Sequence, residues 1–167
     1  MIDPSPTTQP KANGPTINRF RSVQVVGTPW EFMRAVERKF GPIAVDLAAT
    51  AENAKAPRFI TPEIDTFTQD WTAWLKGSLG WLNPEFDPMA KWVAYCAKQQ
   101  QSGAEFLTLS PASTGANWFW DHVQPYATVY SVGRIKFVGS KDVYPKDLIL
   151  SHYNQNPNHE LQRWKWK

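Results

Sequence analysis

Two features of this chain have residue types and surroundings that point to chemistry: the run Asn83-Pro84-Glu85-Phe86 and the isolated acid Asp46. A carboxamide oxygen and the carbonyl of the next residue, a proline, stand together at the end of the apolar run Leu79-Gly80-Trp81-Leu82, making a defined pair of acceptors. Such a pair suits an exocyclic amine on a nucleobase, which is a poor nucleophile because its lone pair is delocalised into the ring. Two acceptors that take its two hydrogens favour a pyramidal nitrogen, and Phe86 offers a ring on which a base swung out of a helix can stack. The same four residues also read as a strand-terminating turn with a core phenylalanine. Asp46 interrupts the β-favouring run 43–47 (IAVDL) and is followed by the small residues Ala48, Ala49 and Thr50, which is out of place in a plain strand.

Other chemistries lose support. The chain has no phosphate-cradling glycine loop, no GxGxxG and no GxSxG elbow, and His122, His152 and His159 show no metal-ligand spacing, so no metal is expected. The single cysteine, Cys96, sits on an apolar helical stripe and reads as a packed small hydrophobe rather than a nucleophile.

The elements that must position these residues alternate. Thr28-Pro29-Trp30-Glu31 reads as a threonine cap, a proline at the first helical position and a glutamate three residues after the cap. The helix carries Phe32, Val36 and Phe40 and stops at Gly41-Pro42. A strand over 43–47 follows, then a loop over 50–70 broken by Arg58-Phe59-Ile60, then a strand over 79–82. Asp87-Pro88 repeats the cap-and-proline signal before a helix with Met89, Trp92, Val93 and Cys96 on one face. A strand over 105–109, a turn over 110–115, a short aromatic helix over 117–123 and three strands over 127–132, 135–138 and 148–153 complete the pattern. This order predicts an α/β fold, a mostly parallel sheet with an antiparallel edge and helices on both faces. Ligands then collect beyond the carboxyl ends of the strands, where both Asp46 and Asn83 fall, so the two share one cleft.

With 167 residues, 42% of them apolar, the chain forms one domain with loose ends: a flexible arm over 1–20, a folded domain over 21–155 and a basic aromatic tail over 156–167. One cysteine fits a reducing compartment, and neither a signal segment nor a membrane span is expected, which together predict a soluble cytoplasmic protein. The net charge of +3 is compatible with a polyanionic partner, and nine tryptophans supply rings for a core or for stacking.

Seven blocks, in order, resemble a known family. They run from Thr28-Pro29-Trp30-Glu31-Phe32 through Val45-Asp46-Leu47-Ala48-Ala49-Thr50, the stretch from Phe59 to Asp65, and Trp81-Leu82-Asn83-Pro84-Glu85-Phe86. They continue through Ser110-Pro111-Ala112-Ser113 with Asn117-Trp118-Phe119, Gly133-Arg134-Ile135-Lys136-Phe137 and Tyr144-Pro145-Lys146-Asp147. The chain resembles the phage-type DNA N-6-adenine methyltransferases, the Dam-like family of bacteriophages and prophages. The resemblance implies a trimmed class I methyltransferase sheet, S-adenosylmethionine as methyl donor and the exocyclic amine of adenine in DNA as acceptor. It further implies catalytic roles for Asn83, Pro84 and Phe86, and host cytoplasm as the location.

By the same resemblance Asp46 accepts from the donor's ammonium, with Ala48 and Ala49 small enough for close approach, and Thr28 and Trp30 belong to a helix closing over that moiety. Asp65, or alternatively Glu63 or Asp70, meets the donor's ribose or adenine. Arg134 and Lys136 are the first candidates for DNA contact, with Lys141, Lys146 and the tail over 163–167 behind them. The family's usual second proline is replaced by Glu85, while both acceptors and the ring are kept. Two alternatives stay open: a catalytically impaired module that binds donor or DNA, and a methyltransferase acting on the cytosine amine. Methylation at carbon 5 of cytosine needs a Pro-Cys nucleophile, and Cys96 follows Tyr95.

Overall fold

The computed structural model describes residues 27–167, and the expected arm over 1–20 lies outside the described residues. Helix α1 (Trp30–Phe40) buries Phe32, Met33, Ala35 and Val36 on one face and leaves Arg34, Glu37, Arg38 and Lys39 exposed. It ends where its sequence predicts: Gly41 takes φ +103°, which glycine adopts without a Cβ clash, and its N–H returns to the Glu37 carbonyl. Its start differs. Pro29 holds the cap position, no side chain caps the helix, and the buried Thr28 spends its hydroxyl on another partner. Asp87 likewise gives no cap to α3 (Met89–Gln101), which starts from Pro88. In both helices the proline, with its fixed φ and no N–H to satisfy, opens the first turn without a side-chain oxygen.

The strands are β1 (Ile43–Asp46), β2 (Arg58–Phe59), β3 (Leu79–Leu82), β4 (Phe106–Pro111), β5 (Ala127–Gly133), β6 (Leu148–Tyr153) and β7 (Gln162–Arg163). They form one sheet in the order β2-β1-β3-β4-β6-β5-β7, in which β6 alone runs antiparallel to its neighbours. The result is an α/β fold with a mostly parallel sheet and an antiparallel strand set toward one edge. Alternating side chains build two cores. Leu82, Phe106 and Ile149 face one shared with α2 (Trp71–Leu75), α3 and α4 (Asn117–His122), while Trp81, Leu107 and Leu150 face the other, beneath α1. Cys96 is fully buried in the first core, where burial drives its thiol far up, as suits a packing residue.

Three local outcomes differ from the sequence pattern. Residues 135–138 are not a strand: Gly133, at φ +70°, turns the chain out of β5, and β6 is already paired on both sides. The segment instead makes single bonds, from Tyr144 N–H to the Ile135 carbonyl and from Val138 N–H to the Gly27 carbonyl, both at 3.0 Å. Helix α2 lies where no helical periodicity is readable, because five residues are too few to show one. It is capped by Asp70 and anchored by Gln99, whose Oε1 accepts from Trp71 N–H at 2.9 Å. The stretch 162–163 adds β7 to the outer edge of β5 instead of running free.

Candidate active site

β3 lies between β1 and β4, and the chain leaves it as Asn83-Pro84-Glu85-Phe86. Asp46, at the end of β1, is in register with Trp81 of β3. These carboxyl ends border a cavity of about 550 Å³. Ala48 and Ala49 reach it from β1, and Ile60, Asp65 and Phe67 from the segment after β2. All four residues from Asn83 to Phe86 line it, with Lys91 and Trp92 from the first turn of α3 and Phe137 from the segment after β5.

Asn83 is held from behind. Its Nδ2 donates to the Thr28 Oγ1 at 3.1 Å, and Thr28 is 1% exposed. Among the described residues Oδ1 has no protein partner, and it is not sealed in: the buried side-chain polar atom left without one is Ser151 Oγ. With the amino half of a planar amide fixed, the oxygen on the other branch is what Asn83 presents. The Pro84 carbonyl is likewise untaken by any backbone N–H among the described residues. Phe86 borders the cavity with its ring edge-on to Tyr144 at 5.3 Å and to Phe137 at 6.2 Å.

Asp46 stands outside the cavity lining. It is 3% exposed, and its carboxylate accepts from Lys55 N–H at 2.9 Å and from Ala48 N–H at 3.4 Å, folding the loop between them over the strand end. Burial raises its carboxyl from the ordinary 3.8 to about 7, against the opposing pull of those two N–H groups and the Lys55 ammonium. Burial in turn lowers the Lys55 ammonium, partly offset by Asp46. That ammonium lies 4.4 Å from the centroid of the half-exposed Trp30 ring, which also stays out of the cavity.

Of the three loop acids, Asp65 is the one that lines the cavity. It takes φ +58°, an uncommon backbone for a residue with a Cβ, and its side chain accepts from Phe67 N–H at 3.1 Å to cap a 3-10 turn, Thr66–Thr68. Asp70 caps α2 through Thr72, whose bonds hold its carboxyl below the usual range, and Glu63 is exposed elsewhere. Arg134 and Lys136 are exposed and lie outside the cavity, alternating with the buried Ile135 and Phe137.

A family model described as DNA N-6-adenine-methyltransferase (Dam) matches residues 22–148. The chain belongs to this family. A DNA N-6-adenine-methyltransferase of Escherichia phage T1 is 28% identical over 102 residues, covering 61% of this chain and 42% of the relative. One of Haemophilus phage HP1 (strain HP1c1) is 37% identical over 60 residues, covering 35% of this chain and 32% of the relative. The matches therefore span less than half of either relative's length. The Dam-family match contains every residue lining the cavity, and the α/β sheet is consistent with a methyltransferase-like fold.

Several residues at this Dam-family cavity are not singled out by their sequence. Phe67 and Trp92 meet with centroids 4.4 Å apart, and the Lys91 ammonium lies 3.9 Å from the Phe67 centroid. Trp92 is hidden in the apolar stripe of α3, which reads as core. Its neighbour Lys91, set beside the Asn-Pro run by one short loop, is the available hint.

Proposed function

We propose that the protein transfers a methyl group from S-adenosylmethionine to the exocyclic amine of adenine in DNA. The observation that carries this reading is the Asn83 carboxamide, anchored through Nδ2 on Thr28 and open at Oδ1 on a cavity it shares with Pro84 and Phe86. Family membership gives that acceptor pair a class of substrate.

The lining residues fit the donor. A cavity of about 550 Å³ is ample for a nucleoside-sized ligand, with the apolar Ile60, Phe67 and Trp92 for a purine, the Asp65 carboxylate for hydroxyls and small side chains at Ala48 and Ala49. When bound, S-adenosylmethionine supplies an electrophilic methyl carbon on a sulfonium. Asp65, Phe67 and Trp92 would hold its nucleoside end, and the loop folded by Asp46 would form the opposite boundary. Asn83 Oδ1 and the Pro84 carbonyl accept the two amine hydrogens and steer the nitrogen lone pair out of the ring plane. Phe86, braced by Tyr144 and Phe137, limits how the base sits. Arg134 and Lys136, outside the cavity, face the DNA. Glu85 stands exposed on the lip, where the surplus amine proton leaves to solvent.

The test is formation of S-adenosylhomocysteine by the purified protein with and without DNA, followed by mapping of the methylated base. Turnover that requires DNA and marks adenine N6, reduced at least about a hundredfold by Asn83→Ala, is the expected result. Equal turnover in Asn83→Ala, or turnover without nucleic acid, would overturn the reading.

A further inference from the structure

A second cavity, also about 550 Å³, is a groove between the end of β5 and the residues that follow β7. Arg134, Arg163, Lys165 and Lys167 line it against one carboxylate, Asp147. The whole chain carries a net charge of +3, so this groove concentrates as much positive charge as the chain has in excess.

The cations are displayed in order. Burial alternates along the tail: Arg163, Lys165 and Lys167 are exposed, and Gln162, Trp164 and Trp166 are half-buried. The rings pin the strip in place. Trp166 meets Phe32 edge-on at 4.9 Å and donates its Nε1–H to the Val132 carbonyl at 3.1 Å. Trp164 packs on Phe40 at 5.7 Å and gives its N–H to the Ser131 carbonyl at 3.0 Å. Cations two residues apart on an extended chain are about 6.6 Å apart, a spacing that lets the strip meet successive phosphates of one nucleic-acid strand. A strip already ordered by its rings loses little further freedom on binding.

The strip is also on the right side of the molecule. β7 pairs parallel with β5, which runs in the same direction as β4 and β3, so the chain leaves β7 toward the end of the sheet at which Asn83 leaves β3. Lys167 Nζ lies 3.8 Å from the carboxylate of Glu31, in the first turn of α1. That exposed ion pair is readily exchanged for a phosphate. Arg134 in the groove and Phe137 in the first cavity are three residues apart on an extended segment, about 10 Å.

We infer that this groove is a phosphate-binding track for the DNA strand beside the target base, with Arg163, Lys165 and Lys167 as its contacts. The inference rests on the DNA reading above, but the three cations lie beyond residue 148, where the family match ends, so family membership does not assign them.

The experiment compares Lys165→Gln/Lys167→Gln with Lys76→Gln/Lys98→Gln, which removes the same charge at the amino end of the sheet, where Lys76 precedes β3 and Lys98 lies in the last turn of α3. Both variants keep Trp164 and Trp166, and thermal unfolding checks that they fold. Binding of a short fluorescent duplex is measured across a salt series. The tail pair is expected to weaken low-salt affinity at least about tenfold and to flatten the slope of log affinity against log salt by about 2, near one unit per lost phosphate contact. The control pair keeps the wild-type slope.

A wild-type slope in the tail variant, an equal loss in the control, or no duplex binding by the wild type overturns the track. A slope lost in the tail variant of a protein that methylates no DNA leaves the track standing and sinks the catalytic reading. Methylation with the slope retained does the reverse.

Discussion

Asn83 Nδ2 donates to the buried Thr28 hydroxyl at 3.1 Å, joining the end of β3 to the residue two before α1 across 55 positions of chain. The bond decides which end of the amide faces the cavity, so Thr28 is a positioning residue for Asn83. Thr28→Val removes the acceptor with little change in volume and is expected to lower kcat for methyl transfer about tenfold to a hundredfold while leaving S-adenosylmethionine affinity within about twofold. Thr28→Ser restores most of the rate. A fall in donor affinity with kcat unchanged would return Thr28 to the donor site.

Asp46 makes stability depend on pH in a defined direction. Its folded pKa, about 7, lies above the ordinary 3.8, so between these values the native state holds a proton that the unfolded state has released. The contribution is fully present below about pH 4, is lost as pH rises to about 7 and is flat above. Its size is at most about 4 kcal/mol. Asp46→Asn cannot titrate, so the wild-type advantage in urea unfolding free energy shrinks from pH 5 to pH 7. Parallel pH profiles would refute it.

Gly80 is a packing requirement of β3. A Cβ there would sit 3.0 Å from Leu47 Cδ1 and from Leu75 Cδ2, and 3.1 Å from Phe106 Cβ on the neighbouring strand. The leucine methyls can rotate away, whereas Phe106 Cβ moves only with β4. Gly80→Ala is expected to lower the unfolding free energy by about 1–3 kcal/mol, read from the urea midpoint.

On the proposed reading, the Phe67–Trp92 pair gives a separable handle on donor binding. Phe67→Ala removes the ring that packs on Trp92 at 4.4 Å and supports the Lys91 ammonium. Calorimetry should find S-adenosylmethionine bound about tenfold more weakly, with DNA affinity unchanged. Loss of DNA affinity alone would assign the pair to the nucleic acid instead.

What the sequence makes legible, and what it hides, follows the range of the interactions. Asn83 and Pro84 stand out because an apolar strand ends against them, a feature contained within eight residues. Thr28 illustrates the opposite case: the local Thr-Pro-x-Glu pattern supplies a capping partner on paper, and the fold supplies Asn83 instead, which no local rule can see. Residues 135–138 carry a true inward and outward alternation, yet a strand also needs a free neighbour, and pairing of β6 with β4 and β5 leaves none. The oddness of Asp46 is readable, but its partners at Ala48 and Lys55 are set by how the loop closes. Phe67 sits in a 3-10 turn too short to have a periodicity, so its place on the cavity wall is invisible before the chain is folded.

The setting of β3 has a mechanical consequence. Because that strand is flanked on both sides and tightly packed at Gly80, the dipeptide just past its end is carried on the middle of the sheet rather than on a free loop. The rest of the cavity wall comes largely from the connecting segments around 61–70 and 134–147, which border it without being strands of the sheet, so any change in its width falls to them.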